Sequence, residues 1–127
     1  MNEDADGLHF PGIAPIDAYG NGGFRFAGMS HRGSLLCLPD GIWAWPVTSP
    51  QDITSTALKA IFARADHLDT VLIGTGVNHW RVPDLMRARF REMNIACDVM
   101  QTGPAIRIYN IMAEERRRVA AALIAVP

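Results

Sequence analysis

Between residues 70 and 100 the hydrophobic pattern changes its period twice. Thr70-Val71-Leu72-Ile73 is a continuously apolar run that stops at Gly74-Thr75-Gly76. Such a run suits a central strand covered on both faces. Pro83 and Asp84 then open a segment in which Leu85, Met86, Phe90 and Met93 form a helical stripe. Asn94 stands where a helix can close in the left-handed conformation. Ile95-Ala96-Cys97-Asp98-Val99-Met100 returns to a period of two, with Ile95, Cys97 and Val99 on one face. Strand, helix and strand in this order predict a right-handed crossover between parallel neighbours. The fold class is therefore α/β.

The chain before this crossover reads as antiparallel. Residues 16–19, 24–29, 34–38 and 42–47 predict strands, separated by turn signals at Gly20-Asn21-Gly22-Gly23 and Pro39-Asp40-Gly41. Trp43 and Trp45 flank Ala44 on one strand face, where they are expected to anchor the hairpin layer onto the sheet. Residues 1–12 are polar and read as a flexible leader to a single α/β domain over 13–127. Thr54 is a candidate N-cap with Ile53 and Leu58 as a hydrophobic staple, and the spacing of Leu58, Ile61, Phe62 and Ala65 predicts a helix over 54–65. Gly103-Pro104 opens another helix with Ala105, Ile108, Ile111 and Met112 as its stripe. Propensity alone would extend helix through the tail, 114–124.

At 127 residues the chain is long enough to bury roughly two-thirds of its unfolded surface without staples. Lys and Arg number 12 and Asp and Glu 13, a net charge of −1. Binding driven by phosphate neutralisation needs a basic surplus, so no nucleic-acid partner is expected. The charge is unevenly placed: residues 1–79 carry four basic and eight acidic residues, whereas residues 80–127 carry eight arginines and five acidic residues. Arg87 and Arg91 lie four apart on the helix that Pro83 opens, away from Phe90 and Met93, and form a candidate partner surface.

Chemistry-bearing residues are sparse. His9, His31, His67 and His79 include no pair four apart, so no metal is expected. Ser34, Ser49 and Ser55 lack a nucleophile elbow, and no catalytic residue is assigned. Cys37 and Cys97 lack paired spacing and read as buried, reduced thiols on strands. The candidate cleft is formed by Gly74, Thr75 and Gly76 with His79 beside them and Thr102 at the end of the neighbouring strand. Ligands of open α/β sheets bind at such carboxyl ends, where loop amides can hold an anion. The loop matches neither a dinucleotide nor a P-loop fingerprint, so no cofactor is expected, and a structural tight turn is the alternative. No apolar stretch approaches a membrane span, and the acidic start lacks the apolar core of a signal peptide, so a cytoplasmic location is expected.

Tyr19-Gly20-Asn21-Gly22-Gly23-Phe24, the stretch 33–45, Ile73-Gly74-Thr75-Gly76, Met100-Gln101-Thr102, Tyr109-Asn110 and the stretch 115–121 follow one another in a recognisable order. Across residues 13–124 the chain resembles the small α/β family that contains mitochondrial complex I assembly factor 3 and an adipogenesis-associated cytosolic protein. The resemblance implies three layers: a mixed central sheet containing the crossover, helices, and an additional β-layer from the N-terminal hairpins. It also implies that residues 118–124 return as a strand antiparallel to its neighbours. Members commonly carry a helix-breaking glycine near Glu115, so helix and strand both stay open there. Asn110 and Arg117 stand at family positions, as structural ties or as part of the cleft. The implied function is that of a bacterial relative of a respiratory complex I assembly factor, a non-catalytic interaction domain with a protein partner. The alternative is a small-ligand-binding domain or enzyme using the Gly74–Gly76 loop. Homo-oligomer formation is left open.

Overall fold

The computed structural model describes residues 8–127. In chain order the elements are β1 (Leu8–Phe10), β2 (Ile16–Gly20), β3 (Gly23–Phe26), β4 (Met29–Arg32), β5 (Ser34–Leu38), β6 (Gly41–Trp45), α1 (Lys59–Phe62), β7 (Thr70–Gly74), α2 (Asp84–Glu92), β8 (Ala96–Met100), α3 (Thr102–Glu114) and β9 (Val119–Leu123). A six-stranded mixed sheet has the order β1-β6-β5-β9-β7-β8, and β2-β3-β4 form a separate antiparallel sheet. Residues 1–7 of the expected leader lie outside the described residues, whereas Leu8–Phe10 pairs with β6 as a strand.

The crossover is as the pattern predicts. β7 and β8 run parallel from Thr70 opposite Ala96 to Gly74 opposite Met100. Val71 and Ile73 pack among the α1 and α2 side chains, while Leu72 points to the opposite layer with Ala105 and Tyr109. Both faces of β7 are thus covered, which is why its sequence shows no alternation. Cys97 and Val99 face the α2 side with Ile95. Asn94 takes φ 57° after α2, and Ile95 N–H closes back on Phe90 O at 3.0 Å.

β9 is a strand, and the expected direction is half right: it is antiparallel to β5 but parallel to β7. The reason is a second crossover. The chain leaves β8, returns through α3 on the far side of the sheet, and inserts β9 between β5 and β7. Arg116 performs the helix break without glycine, at φ 59°, with Arg117 N–H bonded to Met112 O at 2.9 Å. The run Ala120-Ala121-Ala122 keeps this strand thin, so the layers on both of its faces approach closely.

Three helical expectations need correction. The helix expected over 54–65 is only Lys59–Phe62, preceded by turns. Thr54 does cap, since Ala57 N–H donates to its Oγ1 at 3.2 Å. The Trp45 indole N–H, however, donates to Ala57 O at 2.9 Å, and Ile61 N–H bonds Leu58 O instead. In α2, Leu85 is 89% exposed, leaving Met86 and Phe90 as the buried stripe. In α3, Ile108 and Ile111 are exposed, whereas Thr102, Ala105, Ile106 and Tyr109 face inward. Two stripes one residue apart compete on this helix, and the one carrying the large Tyr109 ring is buried.

The tryptophans share a face, as expected, but it is the α1 and α2 side of the sheet. The hairpin layer is held instead by Ile16, Phe24 and Phe26 against Leu35, Ala105 and Tyr109. Asn110 ties this layer to α3: its Oδ1 accepts from Ile16 N–H and its Nδ2 donates to Ile16 O, both at 2.9 Å. Asn110→Ala leaves both main-chain groups unpaired and is expected to lower stability by about 2 kcal/mol, measured by urea unfolding.

On the opposite layer Arg64 clamps the β5–β6 turn. Its Nε and Nη2 donate to Asp40 Oδ1 and Oδ2 at 2.6 and 3.1 Å, and Nη1 donates to Ala60 O at 2.8 Å. The same guanidinium lies 5.0 Å from the centre of the Trp43 ring. Hydrogen bonding to Arg64 holds the Asp40 carboxyl below its ordinary range. A carboxyl depressed in the folded state adds stability above its unfolded pKa, about 3.9, and loses it as pH falls through the folded value. The Asp40 side chain is 60% exposed, so solvent screening limits the pair to at most about 1 kcal/mol. The stability gap between the protein and its Asp40→Asn variant is expected at neutral pH and should close below the carboxylate range in pH-dependent melts.

Candidate functional site

At the carboxyl ends of β7, β8 and β9 three chain segments are laced together. Thr75 N–H donates to Met100 O at 2.8 Å, and the Thr75 hydroxyl donates to Asn78 O at 2.5 Å. Gly76 N–H donates to Thr102 Oγ1 at 2.8 Å, and that hydroxyl passes its own proton to Ile124 O at 2.7 Å. Thr102 N–H closes the ring on Gly76 O at 3.1 Å, and Ile124 N–H donates to Gly74 O at 2.9 Å. Gly74 is required by space: a Cβ there would stand 2.9 Å from Thr102 Cα. Gly76 is required by its φ of +76°.

Gly74, Thr75, Gly76 and Thr102 therefore come together, but as a latch. The amides of Thr75 and Gly76 are occupied by partners within the protein, so they do not form an open anion cradle. In front of the latch lies a depression of about 290 Å³ lined by Thr75, His79, Trp80, Val99, Met100, Gln101 and Pro104. Of the expected cleft residues, Thr75 and the exposed His79 line it. Asn110 is engaged with Ile16, and Arg117 lies beyond the far end of α3, paired with Glu115 at 3.5 Å. About 20 Å of helix separates Arg117 from Thr102. Those two positions do not belong to the depression.

Arg87 and Arg91 are exposed on α2 as expected. Arg87 borders a second depression, of about 410 Å³, that also takes in Trp80, Cys97 and Asp98. Arg89, between them in sequence, instead lies 4.1 Å from the centre of the Phe62 ring. Both thiols are free; Cys37 is fully buried, whereas Cys97 is only half-buried because β8 is an edge strand. Burial pushes each thiol up to about 12, which suppresses the thiolate a nucleophile needs. Among the described residues no group of His, Cys, Asp or Glu could hold a metal ion, and no helix is long and apolar enough to cross a membrane. A feature missed in the sequence is a third depression, on the β2-β3-β4 sheet, with Arg25 and Arg32 in its lining. It depends on cross-strand register, which residue spacing within one strand does not reveal.

These features define a small three-layer α/β protein with a hydrogen-bonded latch at the carboxyl ends of its parallel strands. The chain belongs to the family described as a protein of unknown function (DUF498/DUF598), whose model matches residues 16–124. It is 36% identical over 118 residues to an uncharacterised protein of Rhodobacter capsulatus, covering 93% of this chain and 90% of that one. It is 31% identical over 118 residues to NADH dehydrogenase (ubiquinone) 1 alpha subcomplex assembly factor 3 of Mus musculus. That match covers 93% of this chain but 64% of the mouse protein, so the chain spans under two-thirds of that relative. A crystal structure described as an outer membrane protein from Bartonella henselae superposes with a TM-score of 0.89 at 49% identity, covering 94% of this chain and 100% of that one.

Proposed function

We propose that this protein is a non-catalytic interaction module in the assembly of a respiratory NADH dehydrogenase, acting in the cytoplasm. One observation carries the reading: the similarity to a named assembly factor runs through 93% of the chain. The geometry supports it, because motif residues Gly74, Thr75, Gly76, Thr102 and Asn110 serve to join strands and layers. What the protein offers outward is surface, and Arg87 and Arg91 on α2 are the proposed contact for its partner. A second reading rests on the depression beside His79, which suits a small ligand.

The two are separated by in-cell crosslinking of tagged protein followed by mass spectrometry, with the Arg87→Ala/Arg91→Ala and His79→Ala variants alongside. NADH dehydrogenase subunits are expected with the wild-type protein and with His79→Ala, and are expected to be lost with the arginine variant. Subunit capture indifferent to the arginines, together with a co-purifying metabolite lost on His79→Ala, would favour the ligand reading.

A further inference from the structure

We infer that the outer face of the β2-β3-β4 sheet is a docking trough for an acidic segment of a protein partner; this rests on the interaction reading above and supplies that partner's chemistry. The register builds the trough. Ala18 stands opposite Arg25, which stands opposite Ser30, and Gly23 lies between Gly20 and Arg32. Strand alternation puts these six residues on one face, away from Phe24 and Phe26, which are buried against the main sheet and α3. Small residues form the floor, and two guanidiniums stand diagonally across it. The trough measures about 410 Å³.

Charge identifies the occupant. Arg64, Arg81, Arg117 and Arg118 each have a carboxylate partner within 4.0 Å. Arg25 and Arg32, like Arg87, Arg89, Arg91, Arg107 and Arg116, make no ion pair with any described residue; what sets the trough apart is that it gathers two such arginines with no Asp or Glu in its lining, whereas the depression at Arg87 includes Asp98. Two cations at one concavity without an acidic partner among the described residues, in a chain whose net charge is −1, call for an anionic counterpart. Openness decides its size. Small-ligand sites enclose most of their ligand, whereas both arginines are exposed here. Paired arginines around a shallow floor match the enrichment of Arg at protein–protein hot spots. Carboxylates of an extended segment can each meet one guanidinium in a bidentate pair while the peptide lies over Ala18, Gly20 and Gly23.

The test is fluorescence polarisation with a labelled oligoglutamate peptide, using full-length protein, Arg25→Gln/Arg32→Gln and, as a charge control outside both proposed contacts, Arg81→Gln at an exposed arginine. Thermal melts confirm that each variant is folded. Binding to the wild-type protein is expected to weaken with salt and to fall at least about tenfold in the Arg25/Arg32 variant, with no change in Arg81→Gln. No binding of oligoglutamate, binding indifferent to Arg25 and Arg32, or displacement by millimolar inorganic phosphate would each overturn the trough assignment. The assembly reading fails separately, when NADH dehydrogenase subunits are not crosslinked to the wild-type protein.

Discussion

Replacing Thr102 by valine is expected to lower the unfolding free energy by about 3 kcal/mol. The two side chains have nearly the same shape, so the loss isolates one hydroxyl. That hydroxyl is fully buried, accepts from Gly76 N–H at 2.8 Å and donates to Ile124 O at 2.7 Å. Valine leaves a buried donor and a buried acceptor without partners, each worth about 1–3 kcal/mol. Urea unfolding should show a lower midpoint at an unchanged slope, the mark of a pure stability change. A loss below about 0.5 kcal/mol would mean that the latch is not what joins β7, β9 and α3.

Gly74→Val is expected to be at least as damaging, about 3 kcal/mol or more, for a steric reason. The new Cβ would meet Thr102 Cα at 2.9 Å, Thr102 Oγ1 at 3.0 Å and Leu123 Cδ2 at 3.1 Å. The first of these is backbone and cannot move without displacing the start of α3. Valine then adds two further methyl groups at a position already overfilled. Gly76→Ala tests the other half of the loop, where the new Cβ meets Ile124 Cγ2 only at 3.4 Å and the cost is the φ of +76°. About 1–2 kcal/mol is expected there. Equal losses at the two glycines in thermal melts would contradict this division.

What could be read from the residues was decided by burial on two sides. Val71-Leu72-Ile73 has no polar face because helices and hairpins cover both sides of β7, and Ser34–Leu38 is buried throughout for the same reason. Less legible were elements whose side chains had two plausible homes. On α3 the stripes through Ile108 and Tyr109 differ by one residue, and only the bulk of the packed ring separates them. The extent of α1 turned on the Trp45 indole, which reaches across 12 residues to occupy a helix carbonyl. The direction of β9 depended on the strand pair between which it inserts, a topological fact that local pattern does not encode.

The candidate site divides in the same way. Gly74, Thr75, Gly76 and Thr102 stand out because strand-end glycines and a helix-opening threonine are local signals, and the structure brings them together. That their donors are turned inward could not be read from composition. Asn110 and Arg117 are only seven residues apart, yet one lies inside the hairpin contact and the other past the end of α3. The Arg25–Arg32 trough is spread over three strands and exists only once their register is fixed.

The assembly function is tested most directly by removing the gene from its host and resolving NADH dehydrogenase on native gels. Fully assembled enzyme is expected to fall and subassemblies to accumulate. Wild-type protein and the His79→Ala variant should restore it, and the Arg87→Ala/Arg91→Ala variant should not. Fully assembled NADH dehydrogenase at its normal level in cells lacking the protein would contradict the account.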